Sequence, residues 1–337
     1  MTLTEADAPE IEEESATESV RPRSSRPPKP PKPPRQPKVP KPPRRPPTAP
    51  IVRGPLTPMQ AFARSASAML AAMLFMFFLN LVVLSHVQHL ASQQQLSNTF
   101  RAELAAGTAP VSEGDFDDVL LADGAPVALL EIPSIGVREV IVEGTSSAEL
   151  AMGPGHRRDT VLPGQAGVSV IMGRNAAFGG PFSAIQRLAP GESFTVRTGQ
   201  GEHVFEVIGL RYAGDPQPPS PRAGEGRLLL QTARGGPYVP TGIAYVDARQ
   251  VSDVQPAGAR QTTRVTLPPE QKALATDTTT VWALVFALQF LIVIEIAAVW
   301  AFRRIGAQKT WIVFVPVVIL SGVVVSDQLI RLLPNLL

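Results

Sequence analysis

Three long apolar runs stand out in the pattern of hydrophobic and polar positions. They cover residues 66–84, 281–301 and 311–325, and the third lengthens if it continues to Leu333. A helix needs about 20 predominantly apolar residues to cross the hydrocarbon core of a bilayer. The pattern therefore predicts a three-helix membrane anchor, with transmembrane helices at residues 65–85, 281–301 and 311–333.

Between the first and second runs the pattern changes to short β segments separated by Gly and Pro. Alternating or continuous β-branched residues are typical of strands. The predicted strands are residues 127–132, 136–142, 167–173, 193–198, 203–212, 227–232 and 242–248, and only 147–152 and 182–188 have a helical pattern. This many short strands in a small domain favours a mainly β fold, a closed β-barrel over residues 127–256.

The segments that flank the barrel are polar. Residues 86–126 are interpreted as a helical stalk followed by an acidic linker, and residues 257–280 as a linker back to the membrane. His86 and His89 in the stalk can share one helix face, but no third ligand is nearby in the sequence. The prediction is therefore that the chain has no metal site, and no cofactor is expected.

Charge is segregated along the chain. Residues 1–20 carry seven acids and no base, whereas residues 21–64 carry twelve Lys or Arg, no acid and most of the prolines of the N-terminal region. Such a composition buries almost nothing, so residues 1–64 are expected to form a disordered tail with polyproline II character. The tail can dock to a cytoplasmic partner or to anionic lipid, or can simply enforce topology.

The basic residues also predict the orientation in the membrane. Twelve precede the first apolar run, and Arg303, Arg304 and Lys309 lie in the short connection at 302–310. Lys and Arg accumulate on the cytoplasmic side of spans. We therefore expect a multi-pass protein of the cell membrane with a cytoplasmic N-terminus, a cytoplasmic 302–310 loop and an extracellular barrel. The basic tail lacks interleaved aromatic residues and a folded basic patch, so a nucleic-acid partner is not expected.

A series of short motifs runs through the barrel region. It comprises LEIPSIGV (130–137), VEGT (142–145), GPGH (153–156), LPGQAG (162–167), VIMG (170–173), GPF (180–182) and LAPGE (188–192). In this order and spacing the chain resembles the sortase family, most closely the class E-like sortases of high-GC Gram-positive bacteria. The resemblance implies a β-barrel ectodomain that acts on sorting-signal-bearing cell-surface proteins.

The resemblance also implies a catalytic site, and this chain departs from it at all three positions. Sortases use a cysteine thiolate as nucleophile, a histidine as proton carrier and an arginine that stabilises the oxyanion. The corresponding residues here are Ala233, Arg174 and Gly242, and the chain contains no cysteine. No catalytic residue is therefore assigned. Thr232 is expected to point to the opposite face of its strand from position 233.

The leading hypothesis is a pseudoenzyme that binds a cell-surface or sorting-signal-bearing protein, or scaffolds an envelope assembly. Two alternatives remain open: an active transpeptidase with non-standard groups, and a membrane-complex subunit whose function lies in the spans. Arg174, Arg234 and His156 are the candidate ligand-binding residues. The first two suggest an anionic ligand. Alternatively, Arg174 is paired internally, for instance with Asp159 or Asp247.

Polar residues within the predicted spans form a second set of candidates. Placed at about 1.5 Å per residue, Asn80, Gln289, Ser326 and Asp327 fall at a similar depth and are predicted to form an interhelical hydrogen-bonded layer. Glu295 lies deeper, without an opposite charge at its level. It is either functional, as intramembrane ionisable residues often are, or protonated or paired by snorkelling.

Overall fold

The computed structural model describes residues 57–114 and 119–337, so most of the predicted tail lies outside the described residues. The described part contains eight β-strands and five α-helices. The strands are β1 (Pro126–Ile132), β2 (Val137–Glu143), β3 (Gly155–His156), β4 (Gly167–Met172), β5 (Ser193–Thr198), β6 (Gly201–Tyr212), β7 (Gly226–Gly236) and β8 (Val239–Gln250). The α-helices are α1 (Pro58–Leu79), α2 (Ser85–Ala106), α3 (Glu149–Met152), α4 (Val281–Ile305) and α5 (Ala307–Arg331).

The strands close into a barrel in the order β1-β2-β3-β4-β7-β8-β6-β5. The β2–β3 and β4–β7 pairs are parallel and the other pairs are antiparallel. The prediction of a mainly β fold built on a closed barrel is confirmed. The pattern does not predict β3, because two residues are too few to show an alternation.

The interior of the barrel is apolar because alternate residues of each strand point inward. On β1, for example, Leu130 and Ile132 are fully buried. The rings of Phe194 on β5 and Phe205 on β6 stack with their centroids 5.7 Å apart, an arrangement that adds about 1 kcal/mol beyond the burial of area. The interior core therefore stabilises the barrel and leaves its outer surface free for other contacts.

The first apolar helix extends beyond the predicted span at both ends. α1 starts at Pro58 because Thr57 caps it: Thr57 Oγ1 accepts a hydrogen bond from the Gln60 amide, and Gln60 Oε1 accepts one from the Thr57 amide. This reciprocal pair is a capping box. At its other end α1 passes through one π-helical turn, Asn80–Leu84, directly into α2. The predicted stalk is therefore continuous with the first apolar helix.

α2 is fixed to the outside of the barrel by polar contacts. Gln93 Nε2 donates to the carbonyl oxygens of Val140 and Met152, and Gln93 Oε1 accepts from the Val140 amide at 2.7 Å. His89 Nε2 lies 3.2 Å from the carboxylate of Glu139. These contacts hold the helix against β2 and the end of α3, so the stalk is part of the folded domain.

α4 and α5 form an antiparallel hairpin with Gly306 at the turn. α5 packs between α4 and α1, and its C-terminal end reaches the barrel through a buried cluster that contains Leu81, Phe178 and Ile330. The hairpin turn is consequently at the end of the helices away from the barrel. The basic residues Arg303, Arg304 and Lys309 flank this turn.

Three helical segments of the described chain are long and apolar enough to cross a membrane. They are Ser67–Ala106, Val281–Ile305 and Gln308–Arg331, with mean hydropathies of 2.4, 2.4 and 2.1. They carry many exposed large apolar residues, for instance Phe75 on α1, Trp300 on α4 and Ile312 on α5. Apolar surface of this kind is suited to contact with lipid.

Candidate functional site

The outer surface of the barrel carries a second apolar cluster where β4, β7 and β8 lie side by side. On β7, Leu228 and Leu230 point into the barrel, whereas Leu229 and Ala233 belong to the outer cluster. We call this surface the groove face. It contains Leu150, Val170, Met172, Leu229 and Ala233, with the half-buried Ile243 and Tyr245 beside them.

The groove face is covered by the chain itself. Leu333, Leu336 and Leu337, which follow α5, pack onto it, and Ala273 and Leu274 from the linker before α4 lie beside them. Ala233 is only 1% exposed as a result. We refer to residues 333–337 as the covering segment.

Ala233 occupies the position that the resemblance assigns to the nucleophile, and its methyl group offers no chemistry. The neighbouring Thr232 lies on the opposite face of β7, as strand alternation predicts. Its Oγ1 is fully buried and donates a hydrogen bond to the carbonyl oxygen of Gly173 at 2.9 Å. The hydroxyl is therefore hydrogen-bonded to the main chain at the end of β4 and does not point to the groove face.

Position 242, which the resemblance assigns to the arginine, lies on the other face of the sheet from Ala233. In the β7–β8 ladder Gly242 pairs with Arg234, and the residue opposite Ala233 is Ile243. Directly paired residues place their side chains on the same face of a sheet. A side chain at 242 would therefore point away from the groove face. A bulge between Arg234 and Gly235 shifts the register near this hairpin, and a shift of one residue exchanges the two faces.

Arg174 lies beside the groove face but is closed off from solvent. Its side chain is 0% exposed, and its guanidinium donates to three main-chain oxygens: Nε to Leu150 at 3.1 Å, Nη2 to Ser147 at 2.9 Å and Nη1 to Leu337 at 3.2 Å. Nη2 also donates to Ser147 Oγ at 2.8 Å. The cation further packs against the ring of Phe178, with 4.9 Å from Cζ to the ring centroid.

The predicted acidic partners of Arg174 are engaged elsewhere. Asp159 pairs with Arg157, and Asp247 pairs with Arg211 at 2.6 Å. Burial lowers the pKa of Arg174 to about 9, so the guanidinium stays charged at neutral pH. Arg174 is therefore engaged internally, as the alternative held, but its partners are main-chain oxygens and Ser147 and not the suggested Asp159 or Asp247.

Arg234 is not part of the groove face. It is exposed, and its guanidinium stacks on the ring of Tyr212 with 4.0 Å from Cζ to the ring centroid. Tyr212 pairs with Ala244, which in turn pairs with Thr232. All of these residues share the face opposite Ala233. Arg174 and Arg234 therefore do not flank one pocket for an anionic ligand, as the sequence had suggested.

His156 is a buried structural residue in this structure. Its Nδ1 lies 2.8 Å from Glu143 Oε2, and its Nε2 lies 2.9 Å from the carbonyl oxygen of Val161. Arg158 approaches the other oxygen of Glu143 at 3.8 Å and also pairs with Asp123. Both ring nitrogens of His156 are engaged, so the residue presents no free atom to a ligand.

Sequence reasoning missed several residues of the groove face. Arg211 on β6 pairs with Asp247 and lies over the ring of Tyr245, with 4.3 Å from Cζ to the ring centroid. This group forms a polar flank to the apolar groove. Its cross-strand positions alternate in the sequence, but an alternation alone does not say which face is the site. Ser147 and the covering segment gave no motif signal.

The polar residues of the apolar helices do not form the predicted layer. The amide of Asn80 is buried and has no hydrogen-bond partner among the described residues. Asp327 pairs with Arg331 one turn along its own helix, and Gln289 is exposed on α4. Glu295 is half-buried and forms no ion pair among the described residues. A common depth is not sufficient for such a layer, because the rotation of each helix also decides whether side chains meet.

No cluster of three or more potential metal ligands occurs among the residues that the structure describes. His89 is engaged with Glu139, and His86, one turn earlier, is exposed.

Comparisons with known proteins agree with the barrel. The family model for the sortase domain matches residues 130–237. Over 85 residues the chain is 31% identical to sortase D of Bacillus subtilis, a stretch that makes up 25% of this chain and 41% of the relative. The match thus spans less than half the length of that curated relative.

Solved sortase structures are also similar to this chain. A sortase D5 transpeptidase of Clostridium perfringens is 20% identical, with a TM-score of 0.38 over 49% of this chain and 99% of the other. Sortase E1 of Streptomyces coelicolor, solved with a tripeptide in its active site, is 24% identical, with a TM-score of 0.34 over 39% and 91%.

The segment that matches the family model for the sortase domain, residues 130–237, lies within the closed barrel. In this chain the domain is joined to three apolar helices, and none of the 337 residues is a cysteine.

Proposed function

We propose that the chain is a catalytically degenerate sortase-domain protein of the cell envelope. In this proposal its barrel binds a sorting-signal-bearing cell-surface protein, or holds an envelope assembly together, without transferring a peptide. One observation carries the proposal: the residue at the nucleophile position is Ala233, in an apolar groove of a chain without cysteine.

The surroundings of Ala233 support the loss of chemistry. A nucleophile needs a base within hydrogen-bond reach and a site for the oxyanion. Thr232 donates its hydroxyl proton to Gly173, and both nitrogens of His156 are occupied. Arg174 remains protonated at neutral pH, so it cannot accept a proton there. These contacts disfavour an active transpeptidase with non-standard groups.

The helices support a location at the outer face of the membrane. The barrel packs against α2 and the C-terminal end of α5, and the basic residues flank the α4–α5 hairpin turn at the other end of α5. If this turn is cytoplasmic, as the positive-inside rule predicts, the barrel is extracytoplasmic. A barrel at this position can meet secreted proteins as they leave the membrane.

Site-specific photo-crosslinking in living cells tests the proposal. A photoreactive phenylalanine analogue replaces Tyr245 on the groove face, and the control carries it at Tyr212 on the other face. We expect position 245, and not position 212, to yield adducts with an envelope protein that carries a sorting signal. Adducts that are identical at the two positions, or that contain only cytoplasmic proteins, would contradict the proposal.

A further inference from the structure

The covering segment, residues 333–337, is seated in the groove in a specific way. Leu336 is fully buried against the groove face, and Leu337 is nearly so. Burying a leucine side chain contributes about 1.5–3 kcal/mol. The segment therefore fills the apolar part of the groove with two leucines that would otherwise be exposed to solvent.

Asn335 adds directional hydrogen bonds to the apolar contacts of the two leucines. Its side chain is 0% exposed, and its Nδ2 donates to the carbonyl oxygens of Thr145 at 2.8 Å and Lys272 at 2.9 Å, with Glu270 at 3.4 Å. Its main-chain amide donates to the carbonyl oxygen of Ala275 at 2.9 Å. Converging carbonyl oxygens select a side-chain amide and disfavour a carboxylate.

The main chain of the segment is also bound. The amide of Asn175 donates to the carbonyl oxygen of Leu336 at 2.9 Å, and Arg174 donates to the main-chain oxygen of Leu337. The groove thus contacts a short peptide in three ways: it takes up leucine side chains, binds one side-chain amide, and donates to two successive main-chain oxygens. These are the contacts by which a peptide ligand is held in a groove.

The segment is also tied to the membrane helices. Only Leu332 separates it from Arg331, the last residue of α5. A movement of α5 against the barrel would therefore pull the segment from the groove. A short segment of this kind can leave its site by local opening, without unfolding of the domain.

We propose that residues 333–337 are an internal ligand of the groove, which closes it to peptides of the pattern apolar–amide–apolar until the segment leaves. The peptide part of this inference rests on the proposed binding function, whereas the closure does not.

Thiol labelling of the full-length chain in nanodiscs tests the closure, because every introduced cysteine is unique in this cysteine-free sequence. Ala233→Cys reports on the groove. Ala213→Cys, on the exposed surface, is the control for full reactivity, and Ala248→Cys, inside the barrel, is the control for folding. A bulky maleimide is the probe.

In the full chain we expect the thiol at position 233 to react at least about tenfold more slowly than the thiol at position 213. Deletion of residues 334–337 should raise the labelling rate at position 233 to nearly that at position 213, while the thiol at position 248 stays protected. Fast labelling at position 233 in the full chain would overturn the closure.

A point variant covers the case in which the deletion also exposes the thiol at position 248. In that case the Asn335→Asp variant is the test. A carboxylate facing carbonyl oxygens should release the segment and expose the thiol at position 233, while the barrel stays folded and the thiol at position 248 stays protected. Protection at position 233 that persists in the deletion and in Asn335→Asp, while position 248 stays protected, would also overturn the closure.

A peptide arm separates the closure from the binding function. The probe is a capped peptide of the sequence LPNLL, added to the deletion variant that carries Ala233→Cys, and its control peptide has Asp in place of Asn. We expect the LPNLL peptide to restore protection at a concentration at least about tenfold lower than the Asp peptide. If the deletion exposes the thiol at position 233 but neither peptide protects it, the closure stands and peptide binding is refuted. If both peptides protect equally, the selection for an amide is refuted.

Discussion

Arg174 Nη1 donates a hydrogen bond to the main-chain oxygen of Leu337 across 163 positions of the chain, at 3.2 Å. The contact joins the end of β4 to the segment that follows the last apolar helix. No acidic side chain among the described residues pairs with this buried guanidinium, and main-chain oxygens accept its hydrogen bonds instead. Since such a group is costly to bury, its donors must be well placed. The contact therefore shows that the groove is closed by specific hydrogen bonds to the segment that follows α5.

Replacing Arg174 by Lys tests this arrangement. The ammonium keeps the charge but cannot reach the separate oxygens of Leu150, Ser147 and Leu337 in the fork geometry of a guanidinium. We expect the free energy of unfolding to fall by about 2–3 kcal/mol, since buried carbonyls lose charged donors. The measurement is denaturant unfolding of the detergent-solubilised chain.

The matched control for this variant is Arg187→Lys, because Arg187 is exposed and forms no ion pair among the described residues. It should change stability by less than about 0.5 kcal/mol. Equal stabilities of the two variants would show that the buried contacts of Arg174 contribute nothing.

His156 is predicted to be a stabilising residue and not a ligand-binding one. His156→Ala leaves Glu143 buried without its neighbour at 2.8 Å, which should cost about 3 kcal/mol of stability. Arg249→Ala, which breaks the exposed pair with Glu206, should cost at most about 1 kcal/mol. Thermal unfolding compares the two. If His156→Ala leaves the stability unchanged, His156 is not a stabilising residue, and a role in ligand binding must be considered again.

Stability should fall in mild acid because of His203. Burial lowers the pKa of this imidazole below its usual 6.5, against an opposing hydrogen bond with the backbone of Asp253. Below pH 6.5 the unfolded chain then binds more protons than the folded one. The stabilisation is complete above pH 6.5 and is lost as the pH falls through the folded-state value.

The melting temperature between about pH 8 and about pH 5 measures this effect. His203→Gln should flatten the decline, whereas His86→Gln, which alters an exposed histidine, should leave it unchanged. A decline of the same steepness in His203→Gln would assign the acid sensitivity to other groups.

Thr232→Val is expected to be mildly destabilising. It removes the hydrogen bond to the carbonyl oxygen of Gly173 and leaves that buried oxygen without this donor, a loss of about 1–2 kcal/mol. Thr232→Ser keeps the donor and should lie between Val and the parent chain. If the Val variant is as stable as the parent, the hydroxyl has no structural role, and its presence needs another reason.

Much of the barrel could be predicted from the sequence. Strands such as β5 and β6 show an alternation that matches the fold, because one face of each is buried in the barrel. The glycines and prolines between them mark turns, as Gly164 does with a φ of +93°. The apolar runs likewise predicted α1, α4 and α5, although hydropathy does not reveal the Thr57 cap.

The site was harder to predict, because it depends on contacts between distant parts of the chain. Motif order assigned Gly242 without fixing the register between β7 and β8, and Ile243 is the residue that pairs with Ala233. Pro334 signals that α5 ends, but nothing in the local sequence says that the residues after it return to the barrel. Predictions from short motifs therefore found the strand ends of the site and missed the segment that covers them.

We propose that this barrel forms no covalent bond to a peptide. Intact-mass measurement of the full-length chain, with and without residues 334–337, after incubation with a panel of sorting-signal peptides and an amine acceptor tests it most directly. We expect the protein mass to remain unchanged and no transpeptidation product to form above the peptide-only background. An adduct of the mass of the cleaved peptide, lost in Thr232→Val or His156→Gln, would contradict the account.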